Sequence, residues 1–225
     1  ALAFSKALGL DYKRIQFTTD TLPSDIVGFT MLNNETQKFE FRPGAVFSNL
    51  LLADEINRTS PKTQAALLEA MEEHNVTFDG VTYDLPHPFI TMATQNPMGS
   101  AGTQPLPESQ LDRFMICLSI GYPNLEKQIE IIKSRRYDNP IERIKEVASK
   151  ENVIEGPNYL SSVRICDDVL KYIVLLCEKT REMPLIELGV SPRGVLALVQ
   201  MAKAHAVLED RIYVIPEDVQ DVFLD

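Results

Sequence analysis

The chain has 225 residues, 44% of them hydrophobic and 24% charged, and carries a formal net charge of −10. That length fits one large α/β core with a smaller appendage, and the composition is ordinary for a globular protein. The acidic balance and the lack of any Lys/Arg-rich run argue against a nucleic-acid surface, where phosphates are met by basic side chains, and lean towards protein partners.

In chain order, "ALAFSKALGL" reads as the end of a helix, with Leu2, Lys6 and Leu10 on one side and Gly9 as C-cap. "YKRIQFT" (12–18) reads as a strand, and "TLPSDIVG" (21–28) as a loop rich in Pro, Ser, Asp and Gly. Residues 29–47 contain two extended pieces around "NNET", a hairpin-like insertion closed by Pro43 and Gly44. "NLLLADEINR" (49–58) drives a buried-looking strand into two adjacent acids, Asp54 and Glu55. "SPKTQAALLEAMEEH" (60–74) is a helix with Ser60 as N-cap and Pro61 in its first position. "NVTFDGVTY" (75–83) is a hairpin centred on Asp79 and Gly80. "FITMATQNP" (89–97) is a second apolar strand ending in polar residues, and "ESQLDRF" (108–114) is a short helix leading into a strand "MICLSI" (115–120).

Beyond residue 124 the pattern turns helical, with expected helices over 124–136, 167–182, 191–209 and from 216. Ser191 and Pro192 start the third of these. Strands alternating with helices predict a mostly parallel sheet, followed by a helical domain. The boundary falls between an α/β domain over residues 1–122 and a linker with a helical domain over 123–225. The α/β domain carries hairpin insertions near 29–44 and 75–86.

Neighbouring carboxylates repel each other and resist burial. One reading is that Asp54 and Glu55 open a solvated loop; the other is that a cation waits there. The second apolar strand also ends in polar groups, Thr94, Gln95 and Asn96. In open parallel sheets ligands bind beyond the carboxyl ends of strands. Acids in such a crevice suit hydrated Mg²⁺ with substrate phosphates, and a second acid can polarise water for attack on phosphorus. Arg193 falls in the first turn of its helix, where the dipole disfavours a cation, which suggests an anionic partner. Arg113 follows Asp112, with a local ion pair as the simple alternative. The cysteines Cys117, Cys166 and Cys177 are odd in number and form no C-x-x-C pair, so buried, reduced thiols are expected. His74, His87 and His205 lack zinc-ligand spacing. No apolar run is long enough to span a bilayer and no signal peptide is visible, so a cytoplasmic location is expected.

These segments together resemble the MoxR family of AAA+ ATPases. "LLLADEINR" is similar to its Walker B segment and "ATQNP" to its sensor 1. "PLPESQLDRF" resembles the arginine-finger segment, "GVSPRGVLAL" the sensor 2 helix, and "YVIPEDV" the helix that follows in the lid. "RIQFTTDTLPSDIVG" and "FRPGAVFSNLLLADEINR" match the family pattern too. The resemblance implies a P-loop NTPase-like AAA+ core with a small helical lid, binding ATP and Mg²⁺. It implies Asp54 on Mg²⁺, directly or through water, and Glu55 as base or water-orienting residue. Asn96 becomes sensor 1, Arg113 a finger reaching a neighbouring subunit's nucleotide, and Arg193 sensor 2. Arg58 ranks behind Arg113 as a second arginine acting in trans.

It also implies a homo-oligomeric ring, expected as a hexamer, that remodels client proteins in a chaperone-like way. Proteins with von Willebrand A domains are among the clients implied. The hairpins near 29–44 and 75–86 become the helix-2 insert and the hairpin before sensor 1. The departures are the absence of G-x-x-x-x-G-K-[ST], read as a chain that begins just after that loop, and an atypical "NPMGSAGTQPLPE". A scaffold that binds partners without hydrolysis and a nucleic-acid motor are the competing functions.

Overall fold

In a computed structural model, residues 1–96, 106–134 and 140–224 are described. The chain forms two compact units, Ala1–Leu106 with Pro123–Ile154, and Pro107–Tyr122 with Glu155–Asp225.

The first unit opens with helix α1 (Leu2–Ala7). Gly9, at φ +59°, lets the chain reverse so that the Leu10 N–H reaches the Ser5 carbonyl at 2.9 Å. Strand β1 (Tyr12–Gln16) follows. The stretch read as a loop then forms a short helix, α2 (Pro23–Val27). Pro23 is its first residue, and the Asp25 carboxylate accepts the Leu22 N–H at 2.9 Å. The same Pro, Ser and Asp that signal a turn also start a helix, so composition alone could not separate the two.

Strands β2 (Gly28–Asn33) and β3 (Lys38–Pro43) pair antiparallel. Strand β4 (Leu50–Asp54) leads through a 3₁₀ turn to α3 (Pro61–Glu73), where Ser60 Oγ accepts the Thr63 N–H at 3.3 Å. Strands β5 (Asn75–Phe78) and β6 (Val81–Asp84) form the next hairpin. Asp79 and Gly80 both have positive φ, +50° and +77°, the backbone a type I′ turn demands. Strand β7 (Ile90–Ala93) completes a three-stranded parallel sheet in the order β1-β4-β7. Its central strand is buried as its leucines require: Leu50, Leu51 and Ala53 are buried, as are Phe17, Ile56 and Leu67 of the same unit.

The two hairpins, far apart in sequence, are joined by aromatic packing. Phe41 on β3 stacks on Tyr83 of β6 with ring centroids 4.1 Å apart and planes at 13°. Phe78 and Phe47 flank Phe41 at 6.1 and 5.6 Å. At the other end of the first hairpin, the cross-strand pair Leu32 and Phe39 stays exposed.

The second unit contains α4 (Glu108–Leu111). In the first unit α5 (Leu125–Ser134) follows. Helix α6 (Lys150–Ser162), not anticipated from the sequence, runs through Gly156 and Pro157. It begins in a reciprocal cap, with Ser149 N–H donating to Asn152 Oδ1 at 2.9 Å and Asn152 N–H to Ser149 Oγ at 3.4 Å. Helices α7 (Asp167–Glu182), α8 (Pro192–Leu208) and α9 (Pro216–Val222) enclose a core that includes Ile173, Cys177, Leu198, Ala202, Ala206 and Val219.

Two expectations fail in this unit. Residues 115–120 are not a strand: they pair with no other strand among the described residues, and Ile120 is 97% exposed. An apolar run needs a ladder partner to become a strand, and composition does not supply one. Of the three cysteines only Cys177 is buried, while Cys117 and Cys166 are exposed. Cys117 sits in the unpaired segment and Cys166 at the N-cap of α7, where neither is covered.

Candidate active site

The two adjacent acids escape mutual repulsion by diverging. Asp54 ends β4, whereas Glu55 takes the left-handed conformation (φ 55°, ψ 48°), which turns its side chain to a different set of partners. Asp54 Oδ1 accepts from Thr94 Oγ1 at 2.5 Å, and Oδ2 accepts from Arg14 Nη2 at 2.6 Å and Nε at 3.2 Å. The Thr94 hydroxyl, and then the Arg14 guanidinium, hold the Asp54 carboxyl below its ordinary value; the same pair pushes Arg14 up. Thr94 is the pivot between strands: its hydroxyl also accepts the Glu55 N–H and its carbonyl the Ile56 N–H.

Glu55 Oε2 accepts from Gln16 Nε2 at 2.9 Å and from Arg58 Nη1 at 2.8 Å. Gln16 is oriented in turn by Arg14 Nη2, which donates to its Oε1 at 2.6 Å. Arg14, Gln16, Asp54, Glu55 and Arg58 therefore form one continuous hydrogen-bonded chain. Arg14 is 53% exposed, so its ion pair adds little stability; its effect is to orient the acids.

Arg14 and Gln16 were missed in the sequence. The available signal was the parallel register of β1 on β4, which sets Gln16 beside Asp54, and the alternation that puts Arg14 on the same face. Arg58, considered above as an arginine acting in trans, here meets Glu55 of its own chain.

Asn96 is exposed just beyond β7, and its carbonyl accepts from Asn57 Nδ2 at 3.3 Å. Asn57 itself is buried, and its Oδ1 has no hydrogen-bond partner among the described residues. The structure thus brings Asp54, Glu55 and Asn96 to the carboxyl ends of two paired strands in the first unit. The atypical segment at 97–105 lies outside the described residues.

Arg113 and Arg193 belong to the second unit. Arg113 is exposed just after α4, and Arg193 is exposed as the second residue of α8. Ser191 caps α8, its Oγ accepting the Gly194 N–H at 3.0 Å and donating to Asp112 Oδ1 at 2.5 Å.

Asp54 and Glu55 offer only carboxylate oxygens, the donor type that a hard cation such as Mg²⁺ takes. Both Asp54 oxygens already accept hydrogen bonds, which fits a cation held with its water shell.

Residues 1–116 match the family model described as the ATPase family associated with various cellular activities (AAA), and residues 178–225 match the AAA lid domain. The chain is 51% identical to the uncharacterised protein YeaC of Bacillus subtilis, covering 97% of this chain and 68% of YeaC. It is 36% identical to chaperone MoxR1 of Mycobacterium tuberculosis, over 99% of this chain and 61% of that protein. A crystal structure of a candidate ATPase from Cytophaga hutchinsonii superimposes with a TM-score of 0.89 at 40% identity, covering 99% of this chain and 70% of that one. The chain thus spans between three fifths and seven tenths of these relatives. The two family matches, the parallel core and the helical lid agree, and the chain belongs to the MoxR family of AAA+ ATPases.

Proposed function

We propose that this protein hydrolyses Mg²⁺-ATP at subunit boundaries of a ring and uses the energy for chaperone-like remodelling of a partner protein. The observation that carries this reading is the oriented acid pair at the end of β4, with each carboxylate held by separate donors. In this reading residues 1–122 form the nucleotide-binding core and 123–225 the linker and lid.

Bound Mg²⁺-ATP would supply the electrophilic phosphorus and the cation that faces the acids. Asp54 is the residue to hold the hydrated cation. Glu55 orients and deprotonates the attacking water, and Gln16 and Arg58 set the position from which its carboxylate works. Asn96 serves as sensor 1, donating to that water or to the γ-phosphate. Arg113 reaches the nucleotide of the neighbouring subunit, and Arg193 contacts the phosphate chain from the lid; a guanidinium suits both tasks because its fork matches phosphate oxygens.

The name of the mycobacterial relative, a chaperone, supports a protein client. A hexamer is the ring size proposed, and von Willebrand A domain proteins are the client class. No helix among the described residues is long and apolar enough to cross a membrane, which is compatible with the cytoplasmic location proposed.

The test is Glu55→Gln in the intact protein. ATP binding, measured by equilibrium titration, should stay within about twofold, while phosphate release should fall by about 10²-fold or more. Undiminished turnover would remove Glu55 from the chemistry.

A further inference from the structure

We propose that Asp112 is a positioning residue that ties the Arg113 segment to the start of α8, so that Arg113 and Arg193 move as one module. The inference rests on the ATPase reading for what the two arginines do, but not for the tether itself.

A polar contact carries it, and an apolar pocket lies beside that contact. Ser191 Oγ uses both of its capacities, accepting the Gly194 N–H of the α8 first turn and donating its proton to Asp112 Oδ1, across 79 positions of sequence. Asp112 and Ser191 are half-buried, whereas Arg113 and Arg193, one and two residues further on, are exposed. The anchors are therefore half-buried where the two arginines are exposed.

Met115 and Ile116, just beyond Arg113, line a pocket together with Val190, Gly194, Ala197 and Leu198 from the start of α8. On one side of Arg113, Asp112 is thus bonded to the cap of the helix that presents Arg193; on the other, Met115 and Ile116 border the same pocket as that helix. Residues 115–120 make no strand pairing among the described residues, so no sheet sets the position of this segment.

A module of this kind has a mechanical meaning. Arg193 would answer to the nucleotide of its own subunit and Arg113 to that of the next. A link between them passes a shift of α8 at one site to the finger at the other, because a half-buried hydrogen bond resists independent motion.

The experiment exchanges the partners in the intact protein. Ser191→Asp keeps a good N-cap but sets two carboxylates face to face. Asp112→Ser with Ser191→Asp restores a hydroxyl-to-carboxylate bond in the reverse sense. Asp112→Asn keeps an acceptor for Ser191.

Hydrogen exchange of the amides in 108–116 should speed up about tenfold in Ser191→Asp and Asp112→Ala, and return to within about twofold of wild type in the exchange double variant and in Asp112→Asn. The kcat for ATP should fall about tenfold in the two disrupted variants, with KM within about twofold, and recover in the double variant.

Unchanged exchange in Ser191→Asp would overturn the tether. Faster exchange with full kcat would overturn the positioning role. Faster exchange and lower kcat with no recovery in the double variant would assign the effect to folding and sink the proposal as well. Absence of turnover in wild type would remove the ATPase reading, and the exchange rates would still decide the tether.

Discussion

Replacing Asp218 with Asn should loosen the helical unit that carries Arg193. Asp218 is fully buried as the third residue of α9. Its Oδ2 accepts the Ile215 N–H at 2.8 Å and Arg211 Nη1 at 2.7 Å, while Oδ1 accepts from Arg211 Nη2 and faces His205 Nδ1 at 2.9 Å. Burial by itself would raise this carboxyl; the bonds from Arg211, Ile215 and His205, with the Arg211 charge, outweigh it and hold the group far below the usual range. Asn retains the shape but removes the charge and turns an amide N–H₂ towards the guanidinium. Breaking one side of a buried ion pair costs about 3–5 kcal/mol.

The pH dependence has a definite sign. A carboxyl depressed in the folded state stabilises fully above its unfolded value, near 3.8, and that stabilisation is lost as pH falls towards the folded value. Urea unfolding of wild type and variant, read out by amide exchange in α8 and α9, should therefore show the full gap at neutral pH and a narrowing gap below about pH 4. A variant within about 1 kcal/mol of wild type at neutral pH, or a gap that does not change with acid, would refute the assignment.

Other outcomes follow from the first unit. Thr94→Val removes the foremost of the bonds that depress Asp54, so its carboxyl should titrate at higher pH by carbon NMR and the acid limb of turnover should move up in parallel; an unmoved resonance would deny the contact. Leu67→Ala empties a fully buried position in α3 and should cost about 2–5 kcal/mol in chemical denaturation. Ser60→Ala removes the cap of the same helix, with an expected loss of about 1 kcal/mol by the same measurement.

Local chemistry decided what could be read in advance. The strand running into Asp54 and Glu55, the Ser-Pro starts of α3 and α8, and the Asp79–Gly80 turn each need only neighbours in sequence to be recognised. The α2 segment was lost because turn and helix-start residues coincide there. Helix α6 was lost because Gly156 and Pro157 outweighed the Ser149–Asn152 cap as a signal. Residues 115–120 failed in the other direction, having strand-like composition without a strand partner among the described residues.

At the site, the acids and Asn96 were legible from the polar ends of apolar runs. Arg14 and Gln16 were not, because what marks them is the register of a neighbouring strand. Asp112 was named only as the neighbour of Arg113, since its partner Ser191 lies far along the chain.

The Phe41–Tyr83 stack separates two kinds of freedom in the hairpins. Below it, the stems of β2–β3 and β5–β6 are committed to each other, so a change in one stem needs a compensating change in the other. Beyond it, the Asn34–Gln37 turn and the exposed Leu32–Phe39 pair project past that commitment. Descendants of this sequence can lengthen, shorten or recolour that tip at little cost to the body, because longer surface loops add only slowly to closure entropy. The tip is where related proteins are free to diverge in what they touch, while the machinery beneath stays the same.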